Sequence, residues 1–157
     1  MEYHRRIYSA DVDDSTAPAA LEELARLIRQ ASQELDRAIA TRLGESSVGR
    51  WHVLTAVTSG DGRSMSQLAE ATLCTGASLT RLIDAMIADN LVLRRVDDTD
   101  RRRVLVFPTR RGELAFAAMT EALASSGLDR VAADRGKVTR SLSALVDRLH
   151  ATEQAHT

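Results

Sequence analysis

Apolar positions fall into helical stripes over most of the chain, interrupted by one short stretch of strand pattern. From Leu21 they recur at Leu24, Ile28, Ala31, Leu35, Ile39 and Leu43. Steps of three and four predict one long amphipathic helix, and Gly44 is suited to end it. A second helix is predicted over about 47–58 from Val48, Trp51, Val53, Leu54 and Val57, before a turn at Ser59-Gly60-Asp61-Gly62. Ser64 and Gln67 have capping-box spacing, so a short helix should start near Met65 and bury Leu68, Ala69 and Leu73. Cys74-Thr75-Gly76 makes the next turn. Thr75 is then the N-cap of a helix with Leu79, Leu82, Ile83, Met86 and Ile87 inside, and Asn90 can take the left-handed conformation that closes it.

Beyond Asn90 the pattern changes. Runs at 91–96 and 103–107 are rich in β-branched residues and predict two short strands around the polar turn 97–102. Pro108 cannot continue a paired strand interior, and Thr109 can cap the following helix, which carries Leu114, Phe116, Met119 and Leu123. Ser125-Ser126-Gly127 interrupts that helix. The last helix is predicted from about Leu128, with its stripe at Val138, Leu142, Leu145, Val146 and Leu149.

Two helices joined by a tight turn and followed by an arginine-tipped hairpin form a winged helix-turn-helix. The expected class is mainly α with a small β-hairpin wing. The expected organisation is a mobile arm over 1–20, a dimerisation helix over 21–46, the winged unit over 47–112 and C-terminal dimerisation helices over 113–157. Both flanking stripes are too large for the winged unit to cover, which favours a homodimer.

Composition narrows the function. The chain has 157 residues, enough for one packed domain. No apolar run approaches the roughly 18 residues of a membrane span, and the N-terminal stretch lacks a signal-peptide core. A cytoplasmic protein without membrane contact is expected. The single cysteine, Cys74, excludes an intramolecular disulfide and a multi-cysteine zinc site. His4, His52, His150 and His156 lack metal-ligand spacing, and there is no Gly-rich phosphate loop or Gly-x-Ser-x-Gly. Neither an enzyme nor a bound metal or cofactor is expected.

The net charge of −1 conceals a division. Residues 1–36 hold eight acids against four arginines, net −4, whereas residues 91–112 hold seven arginines against three aspartates, net +4. Such a split suits one polyanion-facing surface on an acidic body.

The run 97–112, Asp-Asp-Thr-Asp-Arg-Arg-Arg-Val-Leu-Val-Phe-Pro-Thr-Arg-Arg-Gly, resembles the wing signature of MarR-type transcriptional regulators. That signature is an Asp-x-x-Asp-Arg-Arg turn, an apolar strand and Leu-Thr-x-x-Gly. Leu79-Thr80-Arg81-Leu82-Ile83-Asp84 resembles the family's recognition-helix core, and Asn90-Leu91-Val92-Leu93-Arg94-Arg95 its Gly-Leu-Val-x-Arg exit. Pro108 stands where the family usually has Leu, Asn90 where it has Gly, and Leu73 and Cys74 where Gly and an aliphatic residue are common. The specific motifs occupy about 64–112.

The resemblance implies a repressor of double-stranded DNA with a pseudo-palindromic operator. The recognition helix would enter the major groove with Thr75, Gly76, Ala77, Ser78 and Arg81 leading, the small residues at 76–78 allowing close backbone approach. Ser78 and Arg81 share a face, and Arg81 can make a bidentate contact with guanine, its alternative being an intrahelical bridge to Asp84. In the wing, Arg102 would enter an A·T-rich minor groove with Asp100 fixing its direction, and Arg101 and Arg103 would touch phosphates. Ser64, Ser66 and Gln67 can donate to phosphates, although a simple cap is the plainer role for Ser64. Family members are often released by small aromatic ligands, and here Trp51, His52 and Thr55 would line the cleft. A tryptophan in an apolar stripe is more often core, so no effector is assigned. Two alternatives stand beside this reading: a redox sensor using Cys74, less suited than a buried turn residue, and a winged module that binds protein.

Overall fold

The computed structural model describes residues 16–133 and 136–155. The chain divides into two compact units at Asp36, inside the first helix. Helix α1 spans Thr16–Leu43, so residues 16–20 of the expected arm are helical and the remainder of that arm lies outside the described residues. Its early residues Leu21, Leu24, Leu27, Ile28 and Leu35 are exposed. Gly44, at φ 87°, ends α1 and caps α2, Glu45–Val57.

In the larger unit β1 (Arg63–Ser64) leads into α3 (Met65–Thr72), α4 (Gly76–Ala88), β2 (Val92–Val96) and β3 (Val104–Pro108). The strands form an antiparallel sheet in the order β1-β3-β2, with Val92 opposite Pro108 and Val96 opposite Val104. Pro108 is the last residue of β3, where a missing N–H costs least. Helices α5 (Arg110–Ser125), α6 (Asp129–Ala132) and α7 (Lys137–Gln154) follow. The last helix expected from Leu128 is therefore two, the second starting after Gly136 in the left-handed region at φ 68°.

The core joins Val53, Leu54 and Val57 of α2 to Leu68 of α3 and Leu79, Ile83 and Met86 of α4. Leu91, Val92 and Val106 close it from the sheet. Cys74 is half-buried and packs against this cluster. Helix α7 buries none of its residues; Val138, Leu142, Val146 and Leu149 are exposed along one stripe.

Leu73 departs from its expected place inside the core. It caps α3 in the left-handed conformation, φ 52°, and its residue surface is 88% exposed. The backbone turn between α3 and α4 takes this residue off the helix's periodic face. A left-handed leucine costs about 1–2 kcal/mol and gains no packing here. Leu73→Gly is expected to stabilise the protein by about 0.5–1 kcal/mol, the gain being partly offset by unfolded-state entropy. Thermal unfolding checks this, and a lower melting temperature would refute the strain.

Candidate nucleic-acid interface

The reading surface is built from three local devices. The first is the capping box that starts α3. Ser64 Oγ accepts from the Gln67 N–H at 3.2 Å, and Gln67 Oε1 accepts from the Ser64 N–H at 2.9 Å. Both side chains are thus engaged in the cap, while Ser66 is exposed on the first turn. A shallow groove beside them is lined by Ala56, Arg63, Gln67, Glu70 and Ala71. Arg63 does not point freely into solvent. Its Nε donates to the Ala56 carbonyl at 3.1 Å and a terminal nitrogen to Ser59 Oγ at 3.0 Å.

The second device is α4. Thr75 is its N-cap by position, but its side chain makes no capping hydrogen bond to the backbone. Its hydroxyl donates to Ser78 Oγ at 3.2 Å instead. The first N–H groups of α4 are therefore left without a side-chain cap, the condition in which a helix start favours an anion. Thr75, Gly76, Ala77, Ser78 and Arg81 are all exposed. The expected alternative for Arg81, an ion pair with Asp84, is absent: Asp84 pairs with Arg94 of β2 at 2.8 Å. Among the described residues Arg81 has no hydrogen bond or ion pair, leaving its five donors available.

The third device is the wing turn. Asp97 accepts from the N–H and hydroxyl of Thr99 at 2.9 and 2.7 Å, and lies 3.8 Å from the Arg103 guanidinium. The hydrogen bonds from Thr99, with the charge of Arg103 assisting, hold the Asp97 carboxyl below the usual aspartate range. Asp100 corrects an expectation. It accepts from the backbone N–H of Arg102 at 3.0 Å, not from the Arg102 guanidinium, and its carbonyl accepts from the Arg103 N–H at 2.9 Å. Asp100 therefore shapes the turn and sets the Arg102 side chain only through its backbone. Arg101 and Arg102 are exposed and, among the described residues, unpaired.

Three other arginines of the basic segment are occupied. Arg94 pairs with Asp84, Arg95 lies 5.8 Å from the centre of the Phe107 ring, and Arg110 pairs with Glu113 at 3.3 Å. Counting charges along the sequence could not separate these from the free ones. The strand register accounts for one of them, because it sets Leu93 opposite Phe107 and so places Arg95 diagonal to that ring.

The residues expected to line a ligand cleft share α2. Trp51 and Thr55 are one turn apart, and Thr55 Oγ1 donates to the Trp51 carbonyl at 2.8 Å. The Trp51 and His52 rings lie 5.1 Å apart and tilted by 57°. The indole Nε1 of Trp51 is buried and, among the described residues, has no hydrogen-bond partner.

A helix-turn-helix with an arginine-tipped antiparallel wing defines a winged-helix protein of the kind built around a recognition helix. Residues 47–103 match the MarR family. Over those residues the chain is similar to the winged helix-turn-helix of the MarR family. Among solved structures it is similar to the transcriptional regulator BldR from Sulfolobus solfataricus, with 26% identity over 85% of this chain and 94% of that one, and a TM-score of 0.63. The transcriptional repressor CouR, solved on a 23-mer DNA duplex, shares the fold at 20% identity, 85% and 94% coverage, and a TM-score of 0.62. BpsR of Bordetella bronchiseptica, whose DNA binding is regulated by 6-hydroxynicotinic acid, shares it at 21% identity, 96% and 98% coverage, and a TM-score of 0.61. No curated protein sequence matches the chain. No helix among the described residues is long and apolar enough to cross a membrane.

Proposed function

We propose that the protein binds specific double-stranded DNA as a homodimer and represses transcription from a pseudo-palindromic operator. One observation carries the reading: Arg81 on the exposed face of α4 and Arg101 and Arg102 at the wing tip are exposed arginines with no ion pair or hydrogen bond among the described residues. Burying the core leaves these cations in water, and a polyanion supplies the missing charge. Arg81 would read a major-groove base with Ser78 beside it, and Arg102 would enter the minor groove. Arg101, Arg103 and Ser66 would touch phosphates. A winged module that binds protein has no need of this set.

The homodimer is supported by the apolar stripe of α7 and, separately, by the exposed leucines of α1. A second copy is the natural cover for such faces. The unpartnered indole N–H of Trp51 favours a small ligand with a hydrogen-bond acceptor near Trp51, His52 and Thr55, without indicating which one. For Cys74, its half-buried place against the core favours a packing role over redox sensing.

Selection of sheared genomic DNA by the purified protein at physiological salt tests the reading. Enrichment of a pseudo-palindrome with half-site centres about one helical turn apart is expected. Affinity for the recovered duplex should fall steeply as salt rises. Enrichment of no sequence would refute specific DNA binding.

A further inference from the structure

The grip on α4 is uneven along its length. Two ion pairs hold its C-terminal end, Asp84 to Arg94 of β2 at 2.8 Å and the C-cap Asp89 to Arg50 of α2 at 2.5 Å, while Leu82, packed against the core, faces Gly49 of α2. A Cβ on Gly49 would lie 3.1 Å from Leu82 Cδ2, so the glycine leaves room for the Leu82 side chain between α2 and α4. Among the described residues the N-terminal half, which bears Ser78 and Arg81, makes no such ion pair.

The two ion pairs flank the buried face. At about 100° per residue, Asp84 lies roughly 130° round the axis from the centre of Leu79, Ile83 and Met86, and Asp89 roughly 90° the other way. Arg81 lies nearly opposite that centre. Apolar packing sets how close α4 sits but only loosely resists its rolling about its own axis, because apolar contact is not directional. A charged pair on each flank does resist roll, and roll decides where Ser78 and Arg81 point.

We propose that Arg50, through Asp89, is a positioning residue for DNA recognition: with the Arg94–Asp84 pair on the opposite flank it sets the roll of the recognition helix. Arg50 itself touches no DNA. This rests on the DNA-binding reading above. It also makes α2, which carries Trp51 immediately after Arg50, the element through which a change at α2 reaches the reading face.

The test uses the full-length protein and the duplex recovered from genomic selection. It compares wild type, Arg50→Ala, Arg50→Lys and the charge-reversed double variant Arg50→Asp with Asp89→Arg, each first shown to be folded by circular dichroism. Arg50→Ala is expected to weaken operator binding about three- to tenfold, with binding to a scrambled duplex and the slope of log affinity against log salt both unchanged. Arg50→Lys should retain most of the affinity, and the double variant should recover it. A salt slope reduced by about one would show that Arg50 meets a phosphate, which overturns the proposal. Unchanged affinity in Arg50→Ala, or no recovery in the folded double variant, overturns it as well. If wild type selects no duplex, the DNA-binding reading fails, and this proposal with it.

Discussion

Arg81→Ala and Arg102→Ala are each expected to weaken operator binding by about 1–3 kcal/mol, roughly five- to 150-fold, while folding and melting like wild type. The second half of that expectation comes from the structure. Among the described residues neither guanidinium has a partner, so truncation breaks no hydrogen bond there and leaves no buried charge behind. The two losses should differ in kind. Arg81→Ala should relax preference at one major-groove base pair. Arg102→Ala should relax preference for A·T where the wing lies, because a narrow A·T-rich minor groove concentrates negative potential that a planar cation uses. Fluorescence anisotropy on the operator and on single-position variants, at fixed salt, measures both. Two variants that bound all these duplexes like wild type would overturn the docking geometry.

Gly112→Ala is expected to destabilise the protein by about 3 kcal/mol or more, lowering the melting temperature by roughly 10 °C. A Cβ at Gly112 would lie 2.0 Å from the Leu91 carbonyl oxygen and 3.0 Å from its carbon. Those are backbone atoms between α4 and β2, which cannot swing aside as a side chain can. The Leu91 carbonyl also accepts from the Thr109 N–H at 3.0 Å, so displacing it disturbs the start of α5. Gly76→Ala is the internal control. Its Cβ would meet nothing within 4 Å, and its stability should change by less than about 0.5 kcal/mol. Thermal and denaturant unfolding of both variants decides the matter. A loss at Gly112 no larger than at Gly76 would mean that the corner yields.

Where structure follows from neighbouring residues, the sequence was a good guide. The Ser64–Gln67 box, the Thr109 cap and the left-handed Asn90 each depend on contacts only a few residues away, and each forms. The core of α2 and α4 was legible because helical periodicity places Val53, Leu54, Leu79, Ile83 and Met86 inward. Strand β1 was not legible, since two residues carry no period and pair only with the distant Val106 and Leu105. Leu73 misled because hydrophobicity suggested burial where the chain needed a left-handed turn. For the candidate site, the exposure of Arg81, Arg101 and Arg102 agrees with the expectation, whereas the pairing around them was not legible. Asp84 was as good a partner for Arg81 by spacing as Arg94 proved by tertiary contact. Similarly, Asp100 was expected to hold a side chain and holds a backbone N–H.

Thr109 ties the two ends of the wing to one place. Its hydroxyl donates to the Asn90 carbonyl at 2.6 Å and accepts from the Gly112 N–H at 3.0 Å, while its own N–H reaches Leu91. The hairpin thus leaves α4 and returns to the same corner, closing a ring of chain with the arginine tip at its far side. A single hydroxyl therefore fastens the C-terminal end of α4 and the start of α5 to one base, beneath the wing.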